Sequence, residues 1–274
     1  MLYTRTDVEH IAAQVRARCS IVPQVAVITG TGFARFGDEL EDATSIPYGE
    51  LSGFPQPGTP GHVGELVIGR LHGRAVACLR GKPALLDGYP AQLVVLPVRL
   101  LWLLGCRSLL YTNTVGAINP TMRVGDFVAI RNHINFYGTN PLIGEANDQW
   151  GERWFDMAYP YDRELTATLH QVARERGITL HEGVYFGTLG PVFETAAEIE
   201  MAGRMGADVV GMTTVMEVIA ARQLGMRVAC FGFVSNLAAG VEGTQVHNAD
   251  VLQAARPAYE RYNQLMRGML PHMP

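Results

Sequence analysis

Polar side chains stand directly after several apolar segments of this sequence that have the pattern of buried strands. Thr31 follows residues 24–29, and Thr114 follows residues 108–111. Hydroxyl groups and the free backbone N–H groups of a glycine turn bind small anions such as phosphate. Ligands of α/β sheets bind where the carboxyl ends of the strands meet. We therefore expect one ligand site that contains Thr31, Asn113, Thr114, Thr213, Thr214, Ser235 and Asn236.

One carboxylate, Glu194, stands just before a helix-start pattern. Thr195 and Glu198 have the spacing of a capping box, which predicts a helix that begins directly after Glu194. Thr214 and Glu217 repeat that spacing and predict a second helix start. On spacing alone, two ordinary helix starts explain this stretch as well as a polar site does, so the rest of the chain must decide between them.

The turn Gly30-Thr31-Gly32 invites two well-known nucleotide-binding interpretations, and the sequence excludes both. A dinucleotide fingerprint needs a glycine or alanine where Arg35 stands, and a P-loop needs a lysine where Asp38 follows Gly37. Two interpretations stay open, namely an anion-binding turn and a tight glycine turn of purely structural origin.

Composition excludes several classes of function. A net charge of −4 without a basic stripe argues against nucleic-acid binding, and no apolar run has the length of a membrane span. The 274 residues suit one large α/β domain or two small ones. The four scattered cysteines predict free thiols in a reducing cytoplasm, and the N-terminus lacks a signal-peptide core. No Cys/His cluster or HExxH motif predicts a metal site.

The periodicity of apolar residues alternates between strand and helix patterns. A capping box at Thr6 and Glu9 predicts a helix over residues 7–18, and Pro97 predicts a kink in a helix over residues 91–104. Further helices are expected at 162–177, after 194, from after 217 to 224, and at 247–269. Strands are expected at 24–29, 65–68, 75–79, 108–111, 127–131, 184–186, 207–212 and 227–234.

Five motifs, taken together, resemble those of the trimeric purine nucleoside phosphorylases, a family that includes the xanthosine and methylthioadenosine phosphorylases. The resemblance runs from about Val25 to the C-terminal helix, and the segment 151–162 also fits. It implies a single α/β domain over residues 1–274 with a central mixed, partly barrel-like β-sheet flanked by helices. The motifs are Gly30-Thr31-Gly32, Gly61-His62-Val63-Gly64, Thr112-Asn113-Thr114-Val115-Gly116, Gly190-Pro191-Val192-Phe193-Glu194-Thr195 and Gly211-Met212-Thr213-Thr214-Val215-Met216-Glu217.

The resemblance implies phosphorolysis, in which a purine nucleoside and inorganic phosphate give the free base and ribose 1-phosphate. It implies no further cofactor and a homotrimer, with Trp150 as the aromatic that a neighbouring subunit lends to the site. Positions that belong to the family's phosphate site are occupied here by Thr31, His62, Lys82, Ala84, Thr114 and Thr213.

The resemblance also assigns the base and ribose contacts. Glu194 matches the acid that holds the purine N1 edge, and Asn236 matches the amide that supports N7 and O6. Met212 matches the residue at the ribose 2′-OH, and Phe193 would lie near the ribose and the base. Asn236, Glu194 and His62 are the implied catalytic residues.

Several positions depart from the family's pattern. Lys82 stands where an arginine is usual, Ala84 replaces a histidine, and Leu86 replaces a tyrosine that meets the ribose. Asn248 aligns with the histidine that contacts the 5′-OH, and His247 comes one position earlier. Lysine supplies charge but not the bidentate fork of arginine, so the phosphate loop is predicted to be atypical.

The substrate class has more than one interpretation. The threonines at 31, 114 and 213 are similar to the methylthioadenosine branch, whereas Asn236 in place of an aspartate indicates 6-oxopurine nucleosides such as inosine and guanosine. The leading prediction is phosphorolysis of 6-oxopurine nucleosides. The alternatives are a member with impaired phosphorolysis that binds nucleosides or bases or hydrolyses nucleosides, and a methylthioadenosine- or methylthioinosine-type phosphorylase.

Overall fold

The computed structural model of the chain describes residues 4–144 and 147–274. This part contains nine strands: β1 (Val25–Ile28), β2 (Glu41–Pro47), β3 (Glu65–Leu71), β4 (Arg74–Arg80), β5 (Ser108–Ala117), β6 (Phe127–Asn135), β7 (Leu180–Gly187), β8 (Val209–Gly211) and β9 (Arg227–Leu237). It also contains seven α-helices: α1 (Arg5–Arg16), α2 (Ala91–Val94), α3 (Leu96–Leu104), α4 (Arg163–Glu175), α5 (Ala196–Arg204), α6 (Val215–Gln223) and α7 (Asn248–Met269). The predicted alternation of strands and helices is confirmed.

The strands form one mixed sheet in the order β2-β3-β4-β1-β5-β8-β7-β6-β9. Because β9 also pairs with β5, the strands β5, β8, β7, β6 and β9 close into a five-stranded ring. The remaining strands, β2, β3, β4 and β1, continue the sheet beyond β5 and are not part of the ring. The predicted α/β fold with a mixed, partly barrel-like sheet is therefore confirmed.

Four neighbouring strands run parallel and deliver their polar ends to one edge. β1 pairs in parallel with β4 and β5, and β5 pairs in parallel with β9. Ile28 lies opposite Tyr111, which lies opposite Cys230, so the segments that follow these residues advance side by side. Every residue of β1 is buried, as the unbroken apolar run predicts.

Helices cover the two faces of the sheet. One apolar core joins α1, α3 and α6 to the sheet through residues such as Ile11, Leu100 and Val218. The other core joins α4 and α7 to the opposite face through Leu169 and Met266. The site edge therefore rests on a sheet that is packed from both sides.

Both predicted helix starts of the central stretch are confirmed, but only the first has the predicted capping box. Thr195 and Glu198 form the predicted capping box, and α5 begins directly after Thr195. Thr214 precedes α6 but makes no capping hydrogen bond with its side chain, and its φ is +86°. Its hydroxyl accepts from Asn113 Nδ2 at 2.8 Å instead, while Glu217 faces the core. The tertiary contacts of Thr214 and Glu217 therefore outweigh their local preference for a capping box.

Two other boundaries differ from the prediction. The first helix is capped by Thr4 and Asp7 rather than by Thr6 and Glu9, so α1 begins two residues earlier. The apolar stretch 91–104 is two helices that meet at Val95, because Pro97 cannot continue the backbone hydrogen bonds of α2 and instead occupies the first turn of α3. The break is larger than the predicted kink.

The strands that carry the site are longer than the sequence pattern predicts. β5 extends to Ala117 and β9 extends to Leu237, so Thr112–Thr114 and Ser235–Asn236 lie within strands rather than after them. Parallel pairing of these two strands satisfies the backbone of these polar segments.

The prediction that the thiols are free is confirmed, since Cys19, Cys78, Cys106 and Cys230 are all free and buried. None of the helices in the described part of the chain combines the length and the apolar character needed to cross a bilayer.

Candidate active site

A pocket of about 650 Å³ opens at the carboxyl ends of β4, β1, β5 and β9. All of the predicted site residues line it except Ala84, Trp150 and Thr214. The structure thus brings together segments that are up to about two hundred residues apart in sequence. These residues are Thr31, His62, Lys82, Leu86, Thr114, Phe193, Glu194, Met212, Thr213, Asn236 and Asn248.

Hydroxyl and imidazole groups converge at one end of the pocket. Thr31 Oγ1 lies 3.4 Å from His62 Nε2, and Thr114 Oγ1 donates to the Thr31 carbonyl at 2.9 Å. Gly30 is required at this point, because a Cβ there would lie 2.8 Å from the Asn113 Cα. The close approach of the glycine turn to β5 creates a small cluster of neutral hydrogen-bonding groups.

His62 contributes to this cluster as a neutral imidazole. Burial, assisted by the nearby Lys82 ammonium, lowers the pKa of His62 from 6.5 to about 4. Its Nδ1 lies 3.3 Å from the Lys82 carbonyl, which favours a proton on Nδ1 and leaves Nε2 facing Thr31. At neutral pH the side chain therefore offers hydrogen bonding without positive charge.

We predict a stability change with pH from the depressed pKa of His62. The unfolded chain takes up a proton near pH 6.5, whereas the folded chain does so only near pH 4, so the free energy of unfolding falls as pH falls through this window. Urea unfolding at pH 7 and pH 5 should show a smaller loss for His62→Asn than for the parent. A full parent loss in His62→Asn would contradict the assignment.

Thr213 sits on a clamped turn at the same end of the pocket. Its N–H donates to the Tyr185 hydroxyl at 3.1 Å, and its carbonyl accepts from the Tyr137 hydroxyl at 2.6 Å. The neighbouring Thr214 is held by Asn113. These three contacts fix the backbone and leave the Thr213 hydroxyl at the pocket wall.

Lys82 and Ala84 occupy different positions from the other predicted anion contacts. The Lys82 ammonium is buried and forms an ion pair with Glu217, which lies behind the pocket wall. Ala84 is buried, lines a small void next to Lys82 and Glu217, and has its N–H bonded to Asp87 Oδ2 at 2.9 Å. The Ala84 side chain is therefore outside the main pocket.

The pocket lining also contains Glu194 and Phe193. Glu194 Oε1 accepts from Thr188 Oγ1 at 2.6 Å, so one carboxylate oxygen is fixed and the other can accept from a ligand. The helix α5 that starts after Thr195 anchors this segment. Phe193 is partly exposed beside the carboxylate and offers an aromatic face to a planar ligand.

Asn236 is oriented by its own strand. Its Oδ1 accepts from Ser235 Oγ at 2.6 Å, and its Nδ2 donates to the Leu237 carbonyl at 2.9 Å. A Cβ at Gly116 would lie 3.0 Å from Asn236 Nδ2, so a glycine on β5 gives the amide its space. One N–H and one lone pair stay available for a ligand.

Trp150 lies outside the pocket of its own chain. It is only 3% exposed, and the Arg99 guanidinium lies 4.9 Å from its ring centroid. Its predicted contribution to a neighbouring subunit stays a prediction. The more exposed tryptophan of this loop is Trp154, at 84%.

Sequence reasoning missed several residues that shape the site. Thr188, which orients Glu194, follows β7 as a polar residue after a strand, and that signal was present in the sequence. Tyr137 and Tyr185 look like ordinary core aromatics in the sequence, yet their hydroxyls hold the Thr213 turn. Glu217 has the spacing of a capping-box residue, so nothing in the local sequence indicates its ion pair with Lys82.

The pocket combines three kinds of chemistry. A cluster of neutral donors can hold a small anion, a carboxylate and an amide can hydrogen-bond a polar heterocycle, and apolar side chains can enclose a sugar between them. In the described residues no group of three or more His, Cys, Asp or Glu side chains could hold a metal ion. The prediction that no cofactor is needed stays a prediction.

The chain matches a known family over most of its length. The model of the phosphorylase superfamily matches residues 24–271. Purine nucleoside phosphorylase 1 of Bacillus subtilis is 35% identical over 263 residues, which cover 96% of this chain and 97% of that protein.

Solved structures match the whole fold. A purine nucleoside phosphorylase of Schistosoma mansoni in complex with inosine has a TM-score of 0.93 and 33% identity, covering 100% of this chain and 99% of that chain. Isoform 2 of the Schistosoma mansoni enzyme, in complex with cytosine and ribose-1-phosphate, has a TM-score of 0.94 and 32% identity over the same shares of the two chains.

Proposed function

The chain belongs to the purine nucleoside phosphorylase family, and from this premise we propose that it converts 6-oxopurine nucleosides and phosphate to free base and ribose 1-phosphate. The observation that carries the proposal is the pocket itself, which brings neutral anion-binding groups together with Glu194 and Asn236. The similar proteins of known structure bind inosine in one case and ribose-1-phosphate in another, which supports both the substrate and the product.

The proposed reaction breaks the bond from ribose C1′ to purine N9 and forms a bond from C1′ to a phosphate oxygen. As the base leaves, the sugar acquires oxocarbenium character and the purine acquires negative charge. Asn236 donates to the N7 and O6 side of the base, and Glu194 accepts from N1–H, which anchors the base while that charge develops. Holding phosphate and nucleoside in line contributes much of the rate gain as an entropic effect.

Glu194 supports a preference for 6-oxopurines. Hypoxanthine and guanine rings carry a proton on N1 that a carboxylate can accept, whereas the adenine N1 has only a lone pair. A lone pair facing the Glu194 carboxylate would be repelled and leave both groups without a partner. Inosine and guanosine are therefore the proposed substrates.

We propose that phosphate lies among Thr31, Thr114, Thr213 and His62, with Met212, Leu86 and Asn248 along the sugar. Their position on the pocket wall supports this arrangement. On anion binding, the Thr114 proton that now bonds the Thr31 carbonyl can rotate towards a phosphate oxygen. We also propose that the phosphate loop is atypical. Its cation, Lys82, is paired with Glu217 inside the protein and is not a free charge.

Removal of the Thr213 hydroxyl should weaken phosphate binding. Thr213→Val keeps the side-chain shape and the backbone contacts to Tyr137 and Tyr185. We expect KM for phosphate to rise about tenfold, the usual effect of losing one hydrogen bond to a charged ligand, while KM for inosine changes little. Thr168→Val, which removes an exposed hydroxyl on α4, is the matched control. Equal KM values for phosphate in the parent and in Thr213→Val would contradict this placement.

We further propose a cytoplasmic homotrimer made of one catalytic domain per chain. Exposed apolar side chains on loops, among them Trp154, Tyr159 and Val192, support coverage by a neighbouring subunit. The four free thiols are compatible with a reducing compartment. Light scattering should give three chains per particle, and a monomeric mass would contradict this assembly.

A direct assay tests the proposed function. The protein is incubated with inosine or guanosine in phosphate-free buffer and again with phosphate, and base release is followed in each case. Release that requires phosphate is the expected result. Equal release without phosphate would indicate hydrolysis, and no release in either condition would indicate a binding protein.

A further inference from the structure

Lys82 and Glu217 form an ion pair that is almost completely buried. The Lys82 side chain is 5% exposed and the Glu217 side chain 1%, and the ammonium contacts Glu217 Oε1 directly. The Tyr111 hydroxyl donates to the same carboxylate oxygen at 3.3 Å, and the Tyr111 ring centroid lies 5.5 Å from Lys82 Nζ. The loop that contains Lys82 and the helix α6 that contains Glu217 are therefore joined through one internal ion pair.

This pair leaves the anion end of the pocket without free positive charge from the described residues. The charge of Lys82 is balanced by Glu217, and His62 is neutral at pH 7. The other nearby cation, Arg80, is held by Asp38 and Glu65 at 3.0 and 2.8 Å and does not line the pocket. A phosphate that enters this end meets hydroxyls, an imidazole and a lysine that already has a counter-ion.

Lys82 is placed so that its charge can move between two anions. It lines the main pocket as well as a small void of about 10 Å³ behind it, and Thr213 borders both spaces. Ala84 borders the void and fills little of it. A lysine has four rotatable bonds, so a change of rotamer can move its ammonium between the two spaces that Lys82 lines.

We propose that Glu217 is an internal counter-ion that competes with phosphate for Lys82 and thereby sets the affinity of the pocket for phosphate. Free protein keeps the ammonium on Glu217, and bound phosphate draws it away. The carboxylate both weakens the attraction for the anion and repels it across a short, poorly solvated distance. This inference rests on the proposed function, because it assumes that phosphate is the ligand of that end.

Glu217→Gln tests the proposal because the amide keeps the shape of the side chain and an acceptor for Tyr111 but removes the negative charge. Lys82 is then free to bond phosphate, so the dissociation constant for phosphate should fall about tenfold, as for one added charge-assisted hydrogen bond. Isothermal titration with inorganic phosphate measures this directly. KM for phosphate should fall in parallel, whereas KM for inosine should stay close to that of the parent.

Three further variants test whether the gain acts through Lys82. Adding Lys82→Met to Glu217→Gln should abolish the gain, which a double-mutant cycle quantifies. Glu65→Gln is the matched control, since it removes a partly buried carboxylate from the Arg80 pair outside the pocket and should leave phosphate binding within twofold of the parent. Glu217→Asp retains the charge but withdraws it from Lys82, so it should tighten phosphate binding about threefold and serves if the glutamine variant does not fold.

Each outcome either supports the proposal or contradicts it. Tighter phosphate binding in Glu217→Gln that is lost with Lys82→Met supports the proposal, as does tighter binding in Glu217→Asp. Unchanged or weaker binding in either Glu217 variant overturns it, and so does a gain that persists without Lys82. Calorimetry measures phosphate binding and does not depend on turnover. If the parent releases no base, the proposed function is contradicted, but the phosphate affinities of the Glu217 variants still decide this inference.

Discussion

Replacement of Asn236 by alanine is expected to lower kcat/KM for inosine phosphorolysis by about 10²- to 10³-fold. The amide is fixed by Ser235 and by the Leu237 carbonyl, so its free N–H is already oriented when the pocket is empty. In the proposed reaction that N–H meets the side of the purine where negative charge develops. Loss of a preoriented donor at such a position raises the barrier more than it weakens substrate binding.

The effect of Asn236→Ala should appear mainly in kcat, with KM for phosphate unchanged. Asn132→Ala, which removes an amide that bonds the Ala158 carbonyl away from the pocket, is the control for general effects of losing an asparagine. Circular dichroism of both variants checks that the fold is retained. A folded Asn236→Ala protein with parental kcat would remove Asn236 from the catalytic site.

Replacement of Glu194 by alanine is expected to lower kcat/KM for inosine by a similar factor of about 10² to 10³. Thr188 holds one carboxylate oxygen, and loss of the carboxylate leaves the N1–H of the bound base without its partner. Glu194→Gln should also reduce the preference for inosine over adenosine, because an amide can donate to the adenine N1. Base release from the two nucleosides, measured with each variant, checks both effects.

Glu200→Gln is the matched control for Glu194. Glu200 lies on α5 and pairs with Arg204 on the exposed helix surface, so its loss should change kcat/KM by less than twofold. Full activity of Glu194→Ala would refute the assignment of the base site. A preference for inosine that is identical in the parent and in Glu194→Gln would show that another group selects the 6-oxopurine.

The site edge could be predicted because its signals are local. Buried parallel strands such as β1 and β9 are apolar runs, and a threonine or asparagine beside such a run needs no distant partner to be recognised. The capping box at Thr195 is equally local and was confirmed. Closure of the barrel follows from the resemblance rather than from such patterns, since it depends on the pairing of β5 with β9.

The features that could not be predicted depend on residues far apart in sequence. Thr214 loses its capping role because Asn113 bonds its hydroxyl, and Glu217 turns inward to Lys82. These partners are about one hundred residues or more from α6, and no periodicity connects them. A buried charge pair overrides the weaker preference for a capped helix start, because an unpaired buried carboxylate costs several kcal/mol.

The most direct test of phosphorolysis follows the fate of the ribose. The protein is supplied with inosine, one equivalent of phosphate and ¹⁸O-labelled water, and products are read by ³¹P NMR and mass spectrometry. Phosphorolysis predicts one ribose 1-phosphate per hypoxanthine, with no ¹⁸O at the anomeric position. Free ribose that carries ¹⁸O, with the phosphate signal unchanged, would contradict it and identify water as the nucleophile.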